Sequence, residues 1–315
     1  MLQRLTDSGT DPNVTSSTFV SVVIPHLNDS LTLERCLQAL ATQREDEDRF
    51  EVIVVDNGSR SPPQEICARF DFVSMLQEPT PGPGPARSLG ALAAQGEVIA
   101  FIDSDCIPQP GWLSALIVHF EADPAVEVVG GEIGIAMKDS AAPTSLEAYE
   151  AIWAYRMEFY IEHQNFTATG NMAVRKEVFT RVGPFGGLDL AEDNDWGERA
   201  VAIGVKLTYF PEAKVLTPAT SSFSEMRRKW DRHISHHYAE ITSTGGKFRW
   251  AARAAAIAAS PLMETVTVIS SPKIKGMRAR ILAFGCLIRI RLYRAYRMLA
   301  VLLAGLEGEA EKWRR

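Results

Sequence analysis

The stretch EVIAFIDSDCIPQPGW, residues 97–112, decides the class of fold, because an apolar run ends there in two aspartates. Residues 97–102 have the composition of a short buried strand, and Asp103 and Asp105 follow on either side of Ser104. A carboxylate in a core is costly unless it is paired, solvated or bound to a metal. The sequence therefore predicts that this strand ends at a polar pocket.

Similar apolar runs alternate with helical segments up to about residue 135. Runs of Val and Ile between helices predict parallel strands that are covered on both faces. The predicted strands are 19–24, 51–56, 72–77 and 97–103, and the predicted helices include 30–43, 86–95 and 111–120. Ligands bind such sheets outside the carboxyl ends of the strands. The polar ends PHLND, DNGS and DSD predict a pocket at one edge of an α/β sheet.

The composition is that of a globular protein with one large domain or slightly more. The chain has 315 residues, of which 46% are hydrophobic and 23% charged. The first 18 residues lack the apolar segment of a secretory signal, and we find no uncharged apolar window of about 18 residues, so neither a signal nor a spanning helix is expected. Four widely spaced cysteines match no zinc or disulfide pattern, which indicates a reducing cytoplasm.

Charge is divided unevenly along the chain. Residues 1–220 hold 15 basic and 32 acidic residues, a net charge of −17, whereas residues 221–315 hold 18 basic and 7 acidic residues, a net charge of +11. This segregation predicts that the basic part faces something anionic, either a membrane surface or a nucleic acid.

Residues 278–306 hold six arginines among apolar residues, and the last four of them are closely spaced. Arg289, Arg291, Arg294 and Arg297 interrupt the apolar run too often for a membrane span. A basic amphipathic helix that lies in a membrane interface fits this pattern. A helical pair that packs on the back of the domain with solvated arginines fits it equally well, and the sequence leaves both interpretations open.

The D-x-D pair has two interpretations as well. Along an extended strand, residues two apart point to one side, so Asp103 and Asp105 would face one pocket if the strand continued through Ser104. Carboxylate oxygens suit Mg²⁺ or Mn²⁺, and such an ion can neutralise a departing diphosphate. The alternative is a helix cap and turn pair, because Asp and Ser are common where a strand ends.

Five stretches, in this order, resemble the family 2 glycosyltransferases over about residues 19–220. They are VSVVIPHLND, EVIVVDNGS, GPARSLGALAAQGEVIAFIDSDCIPQPGWL, TATGNMAVRKEVFTRVGPFG and AEDNDWGERAVAIGVKLTYFPEA. The resemblance implies an α/β protein of the GT-A nucleotide-diphospho-sugar transferase fold, with a Rossmann-like mixed central sheet. It also implies an enzyme that moves a sugar from a nucleotide diphosphate, often UDP, to a hydroxyl with inversion, using Mn²⁺ or Mg²⁺.

The same resemblance assigns roles to individual residues. On the donor side it implies that Asp56 contacts the base, near the backbone of Pro25, His26 and Leu27, and that Asp29 lies near the nucleoside. It also implies Arg87 as the arginine beneath the nucleotide, and Asp103 and Ser104 as the first part of D-x-D. For the metal it implies Asp105 with Asp103. For catalysis it implies Asp193 as general base with Glu192 beside it, and for the acceptor side Gly170, Asn171 and Trp196.

The carboxylates of the segment AEDND can also be interpreted from chemistry alone. An inverting transfer needs one base that takes the acceptor proton, and this segment supplies carboxylates at a predicted helix start. Acids in a first helical turn are also favoured by the helix dipole. We prefer that structural explanation for Asp195 and Glu198, and the catalytic one for Asp193.

The sequence departs from the family pattern in two places. Thr217 stands where many members have a histidine that helps hold the metal or diphosphate, and Ser88 replaces a common asparagine after Arg87. Which side chain takes over from that histidine is open, and the candidates are His233, His236, His237, Arg227, Arg228 and Arg232.

Two other classes of enzyme do not fit the sequence. The G-x-G of PGPGPARSLG does not follow the first strand, and position 87 is Arg where a dinucleotide-binding fingerprint needs Gly, which excludes such an oxidoreductase. The sequence does not support a sugar nucleotidyltransferase, because no Gly-rich basic loop follows the first strand. A GDP- or dTDP-sugar transferase and a non-catalytic nucleotide-binding scaffold subunit of a polysaccharide assembly remain as alternatives.

The predicted organisation has three parts. Residues 1–18 form a flexible tail, residues 19–220 the catalytic domain, and residues 221–315 a basic helical extension. We expect a cytoplasmic enzyme, peripheral at the inner face of the membrane if the extension binds anionic lipid, that builds a cell-surface polysaccharide or glycolipid. Nucleic acid is not the expected partner.

Overall fold

The computed structural model describes residues 18–44, 49–188, 191–239 and 241–304, and the predicted tail lies almost wholly outside these ranges. The strands are β1 (Val20–His26), β2 (Phe50–Asp56), β3 (Val73–Gln77), β4 (Val98–Ile102), β5 (Ile107–Pro108), β6 (Val128–Ala136), β7 (Asn171–Arg175) and β8 (Leu207–Pro218). The helices are α1 (Ser30–Gln43), α2 (Gln64–Cys67), α3 (Pro83–Ala93), α4 (Trp112–Ala122), α5 (Ser145–Trp153), α6 (Met157–Gln164), α7 (Lys176–Val182), α8 (Glu192–Ala202), α9 (Phe223–Ala239), α10 (Thr244–Ser270) and α11 (Gly276–Ala304).

The strands form one mixed sheet in the order β3-β2-β1-β4-β7-β6-β8-β5. Strands β3, β2, β1 and β4 are parallel, and β7 runs antiparallel to β4 and β6. His26 is in register with Asp56, and Asp56 with Gln77, so these strands end side by side. The predicted α/β fold with a mixed central sheet is confirmed, and the carboxyl ends of β1, β2 and β4 meet at one edge.

The central strands are buried because their residues are apolar on both faces. All five residues of β4 are buried, as are six of the seven in β2. Helix α3 packs closely on β1 at Gly90, where a Cβ atom would lie 2.4 Å from Cγ1 of Val23. A side chain at this position would therefore push the helix off the sheet and move the residues that it carries.

The chain divides into two compact units. The first contains residues up to Ile133 together with Met157–Val215, and the second contains Gly134–Arg156 and the residues from Leu216 onward. The predicted domain boundaries at residues 18 and 220 stay predictions.

The second unit is helical, which confirms a helical C-terminal region. Helix α11 matches the arginine-containing stretch 278–306, whereas α9 and α10 lie in the region 221–315 that was predicted to be helical without bounds for either helix. Trp250 on α10 donates from Nε1 to the carbonyl oxygen of Met298 on α11 at 2.9 Å, and apolar side chains pack around this contact. These long-range contacts hold the two helices together.

Helix α10 bears on the expectation that the chain has no membrane-spanning helix. It has 27 residues and an 18-residue window of mean hydropathy 1.2, of which 17% is buried, so by length and composition it could cross a membrane. Arg253 and Glu264 interrupt the apolar residues of this helix, so it contains no uncharged window of about 18 residues.

Candidate active site

A cavity of about 550 Å³ lies at the sheet edge that the strand ends predicted. It belongs to the first unit and collects residues from five separate parts of the chain. The lining residues are Pro25, His26, Leu27, Asp29, Asn57, Pro81, Gly82, Pro83, Arg87, Asp103, Ser104, Asp105 and Leu188. Seven of the predicted donor-side residues and the predicted metal ligand Asp105 are among them.

The D-x-D pair is held by a turn, so the condition that the strand continues through Ser104 is not met. Strand β4 ends at Ile102, and the backbone N–H of Cys106 donates to the carbonyl oxygen of Asp103 at 2.9 Å. The turn brings Asp103, Asp105 and Cys106 together, so that one ligand atom from each lies within 4.8 Å of the others. Strand alternation is therefore not the reason that the two carboxylates meet.

The residues at this turn fit a divalent cation. Burial, and next the negative charge of Asp103, raise the pKa of Asp105 to about 6, so the charged form of Asp105 is disfavoured here. A cation bound between Asp103 and Asp105 would relieve the repulsion between their charges, and carboxylate oxygens are ligands that Mg²⁺ and Mn²⁺ prefer. Cys106 is buried and its thiol suits softer metals, so Asp103 and Asp105 are the better ligand candidates for these ions.

Arg87 connects the D-x-D turn with the AEDND segment. It lies on α3 with its side chain 5% exposed, and it donates to Asp103 Oδ1 at 2.5 Å and to Glu192 Oε1 at 2.9 Å. Although burial by itself lowers the pKa of Arg87, Asp103 and Glu192 together hold it above its usual value. Two acids far apart in sequence are thus fixed on one buried cation.

Asp193 follows Glu192 in the first turn of α8. The backbone N–H of Asn194 donates to its Oδ1 at 2.9 Å. Burial, and next the charge of Glu192, raise the pKa of the Asp193 carboxyl. A carboxylate with a raised pKa is a better proton acceptor, which is the property that a general base requires.

Two buried groups beside the cavity have polar atoms without a partner. Asp56 is 2% exposed, and its Oδ2 accepts from the backbone N–H of Ser59 at 3.2 Å, whereas Oδ1 is buried with no partner among the described residues. Both ring nitrogens of His26 are also buried and unpartnered within the described chain, and burial lowers the pKa of this histidine. Such groups are costly without a hydrogen bond, so they are available to a ligand.

Asn57 is a site residue that the sequence analysis missed. Its Nδ2 donates to the carbonyl oxygens of Glu78 and Thr80 at 2.9 and 2.7 Å, and its Oδ1 accepts from the N–H of Gly82 at 2.7 Å. It thereby fixes the loop that leads into α3, where Arg87 lies. In the sequence, Asn57 is marked only by its position after Asp56 at the end of a strand. That position does not reveal its hydrogen-bond partners.

The family comparison explains this arrangement. The model of glycosyl transferase family 2 matches residues 21–183, which include the strand ends, Arg87 and the D-x-D turn. This chain is a family 2 glycosyltransferase.

Curated relatives of the glycosyltransferase agree with this assignment. Glycosyltransferase AglE of Haloferax volcanii is 31% identical over 217 residues, 67% of this chain and 70% of that protein. The pre-mycofactocin glycosyltransferase of Mycobacterium tuberculosis is 31% identical over 215 residues, 65% of this chain but 43% of the relative. The match thus spans less than half of the mycobacterial protein, and both relatives are named as enzymes that transfer sugars.

Solved structures show the same fold at lower identity. The mannosyltransferase PcManGT of Pyrobaculum calidifontis, in complex with GDP-Man and Mn²⁺, has a TM-score of 0.56 and 17% identity, with 98% of this chain and 92% of that chain covered. S. aureus TarS in complex with UDP-GlcNAc has a TM-score of 0.52 and 15% identity, with 92% of each chain covered. These neighbours confirm the GT-A fold of the glycosyltransferase.

The predicted acceptor-side residues of the glycosyltransferase have unequal surroundings. Gly170 lies so close to Asp103 that a Cβ atom would be 2.9 Å from Oδ2 of that aspartate. Asn171 is buried and uses its amide in hydrogen bonds to Trp112 Nε1 and to the carbonyl oxygens of Glu132 and Ala213. Its contact with an acceptor stays a prediction, and the contacts seen are structural.

Trp196 lies in the core and not at a pocket surface, which corrects its predicted place on the acceptor side. It is 1% exposed, stacks on Phe179 and donates from Nε1 to the carbonyl oxygen of Gly183 at 2.9 Å. A large apolar ring is more stable in this cluster than in water.

The residue that replaces the usual histidine stays open. Thr217 is buried in the second unit, and His233 and His237 line a different cavity of that unit. The side chain of His236 lies outside the described residues.

Proposed function

We propose that this glycosyltransferase moves a sugar from a nucleotide diphosphate donor, UDP-linked as the first candidate, to a hydroxyl of a saccharide or glycolipid acceptor. The transfer is a single displacement with inversion at the anomeric carbon and contributes to a cell-surface polysaccharide or glycolipid. The observation that carries the proposal is Arg87, which fixes the D-x-D carboxylate Asp103 and the acid beside Asp193 on one guanidinium. One side chain therefore holds both a donor-side carboxylate and the residue next to the proposed base.

Asp193 acts as the base in this reaction. Its carboxylate takes the proton of the acceptor hydroxyl while the oxygen bonds to the anomeric carbon and the bond from that carbon to the diphosphate breaks. The raised pKa of Asp193, caused by burial and by Glu192, supports this role. Glu192 is bound to Arg87 and positions the helix start that carries the base.

Asp105 and Asp103 are the residues that would hold Mn²⁺ or Mg²⁺. When bound, such an ion stabilises the negative charge that develops on the leaving diphosphate. The Mn²⁺ in the mannosyltransferase complex supports this choice of ion. On the nucleoside side, the unpartnered Oδ1 of Asp56 supports a hydrogen bond to the base.

A GDP-linked donor is the second candidate. The mannosyltransferase neighbour holds GDP-Man, whereas the TarS neighbour holds UDP-GlcNAc. The fold therefore accommodates both nucleotides, and the difference lies in contacts that have to be measured.

The deciding experiment is a thermal-shift screen of UDP-, GDP- and dTDP-sugars with Mn²⁺ and with a chelator, followed by donor hydrolysis assays. A bound donor stabilises the fold by mass action, so the true donor raises Tm with Mn²⁺ and loses the effect with chelator. Proton NMR of the transferred sugar then reports the anomeric configuration. The proposal fails if no nucleotide sugar shifts Tm, or if the product retains configuration.

We also propose that the enzyme works as a peripheral protein at the inner face of the membrane. Helix α10 exposes Leu262, Met263, Val266 and Ile269, each more than 60% exposed, along one side of its second half. The loop and helix start that follow contribute the exposed cations Lys273, Lys275 and Arg278. Apolar side chains beside cations are the composition of helices that lie in an anionic lipid interface.

Vesicle flotation tests this location. Vesicles that contain anionic lipid should carry the protein to the top of a gradient, and neutral phosphatidylcholine vesicles should carry less. Leu262→Asp should reduce flotation, whereas Leu92→Asp, a control at a 78% exposed leucine of the first unit, should not. Equal flotation of both variants would contradict the proposal, and resistance to alkaline extraction would indicate a spanning α10 instead.

A further inference from the structure

A second cavity, of about 160 Å³, lies within the helical unit among α9, α10 and α11. Its polar lining consists of Trp230, His233 and His237 from α9, Trp250 and Arg253 from α10, and Arg294 from α11. No carboxylate is present among the described residues that line it. The cavity therefore presents hydrogen-bond donors and positive charge.

The two arginines of this cavity differ from their neighbours on α11. Arg291 is paired with Glu264 at 2.7 Å, and Arg297 with Asp231 at 2.9 Å. Arg253 and Arg294 form no ion pair within the described part of the chain. Two cations thus line one cavity, whereas Glu264 and Asp231 already form ion pairs with other arginines.

Two buried donors in the cavity also lack an acceptor among the described residues. They are Nε of Arg294 and Nε1 of Trp230, and the guanidinium of Arg294 lies 3.7 Å from the ring centre of Trp230. Trp250 is different, because its Nε1 already donates to Met298. An unsatisfied buried donor is costly, so an acceptor that entered the cavity and reached these two groups would be stabilised.

The electrostatics of the cavity point in the same direction. Burial, and next the charges of Arg291 and Arg253, lower the pKa of Arg294 to about 10, although Tyr149 and Glu264 act in the opposite sense. Burial, and next Lys229, His237 and Arg232, lower the pKa of His233. An anion in the cavity would offset this repulsion between cations.

We propose that this cavity binds a phosphate group through Arg253, Arg294 and the indole N–H of Trp230. A phosphate offers several strong acceptor oxygens, and arginine is well suited to them because its N–H groups form a planar fork. The phosphate comes either from a lipid headgroup or from a free phosphate in solution. The proposal does not rest on the proposed sugar transfer, and its test measures binding alone.

The test is isothermal titration calorimetry of the full chain at constant ionic strength, with inorganic phosphate and with a soluble short-chain phosphatidic acid as probes. The proposal expects binding by wild type and at least tenfold weaker binding by Arg253→Gln and by Arg294→Gln. Arg253 is exposed, so its variant should fold even if the Arg294 variant does not. Arg249→Gln, at another exposed arginine of helix α10 that does not line the cavity, is the matched control and should bind like wild type.

Each result has a defined meaning. Phosphatidic acid binding at least tenfold tighter than inorganic phosphate supports a lipid headgroup, and equal affinities support a free phosphate. If neither probe binds, or if Arg253→Gln binds both as tightly as Arg249→Gln does, the cavity is not a phosphate site and the proposal is overturned. Phosphate that binds at the active site gives this last pattern, because neither variant alters that site.

Discussion

Nη2 of Arg87 on helix α3 lies 2.5 Å from Oδ1 of Asp103, which follows strand β4. The arginine side chain is 5% exposed and the aspartate 39%, so a buried cation holds a carboxylate at the edge of the pocket. The same guanidinium binds Glu192, and the pair therefore connects the donor-side acids with the start of α8.

Replacing Arg87 should lower the free energy of unfolding of the protein. Arg87→Met leaves two partly buried carboxylates without their cation, and we expect a loss of about 3 kcal/mol in the free energy of unfolding. Urea denaturation measures this. Arg181→Met is the control, because Arg181 pairs with Glu127 but is 53% exposed, and it should cost less than about 1 kcal/mol. Equal losses in the two variants would contradict the central place of Arg87.

Replacing the proposed base should abolish transfer without abolishing nucleotide binding. Asp193→Asn keeps the shape of the side chain but removes the proton acceptor, so we expect kcat to fall by about 10²- to 10⁴-fold while UDP affinity stays within about twofold. The control is Asp195→Asn, because Asp195 is paired with Arg199 at 2.9 Å and should be dispensable for chemistry. Normal turnover by the Asp193 variant would end the assignment of the base.

The pH dependence of transfer should reveal the environment of Asp193. The base works only when deprotonated, so kcat/KM falls as pH is lowered through its pKa. Because burial and Glu192 raise that pKa, the fall begins at a higher pH than an exposed aspartate would give. Glu192→Gln removes the neighbouring charge and should move the fall to lower pH, as measured in a pH–rate profile at saturating Mn²⁺. A profile that does not move would indicate that another group titrates.

Removing the carboxylate of Asp105, a proposed metal ligand, should weaken donor binding only when the metal is present. Asp105→Ala is expected to reduce the affinity for UDP with Mn²⁺ by about tenfold or more, because the ion connects the protein to the phosphates. Calorimetry with Mn²⁺ and with a chelator separates the two conditions. Wild-type affinity in the presence of Mn²⁺ would refute the ligand role of Asp105.

Adding one methyl group at Gly170 should disturb the D-x-D turn. A Cβ at this position would lie 2.9 Å from Oδ2 of Asp103, closer than real contacts allow, so the carboxylate has to move. We expect Gly170→Ala to lower kcat/KM by about tenfold or more, since small displacements in a reacting site are costly. Gly245→Ala is the control, because a Cβ there meets nothing within 4 Å, and it should leave kcat/KM unchanged.

Much of the fold could be predicted from local patterns in the sequence. Helix α1 was expected over 30–43 and is observed at Ser30–Gln43, and strand β2 was expected over 51–56 and is observed at Phe50–Asp56. Parallel strands that are buried on both faces must be apolar throughout, so their runs of Val and Ile are visible in one dimension. The polar residues that end these runs likewise predicted the pocket, because strand ends meet at one edge of such a sheet.

The partners of these residues were decided by the tertiary structure. The sequence gives no sign that Arg87 binds Glu192 across 105 positions, that a turn brings Asp103 to Asp105, or that Trp196 is buried in the core. The bounds of helix α10 within the predicted helical region 221–315 also escaped prediction, and its contact with Met298 comes from a distant part of the chain. Backbone periodicity is a local property of the chain, whereas ion pairs and side-chain burial depend on which distant segments packing brings together.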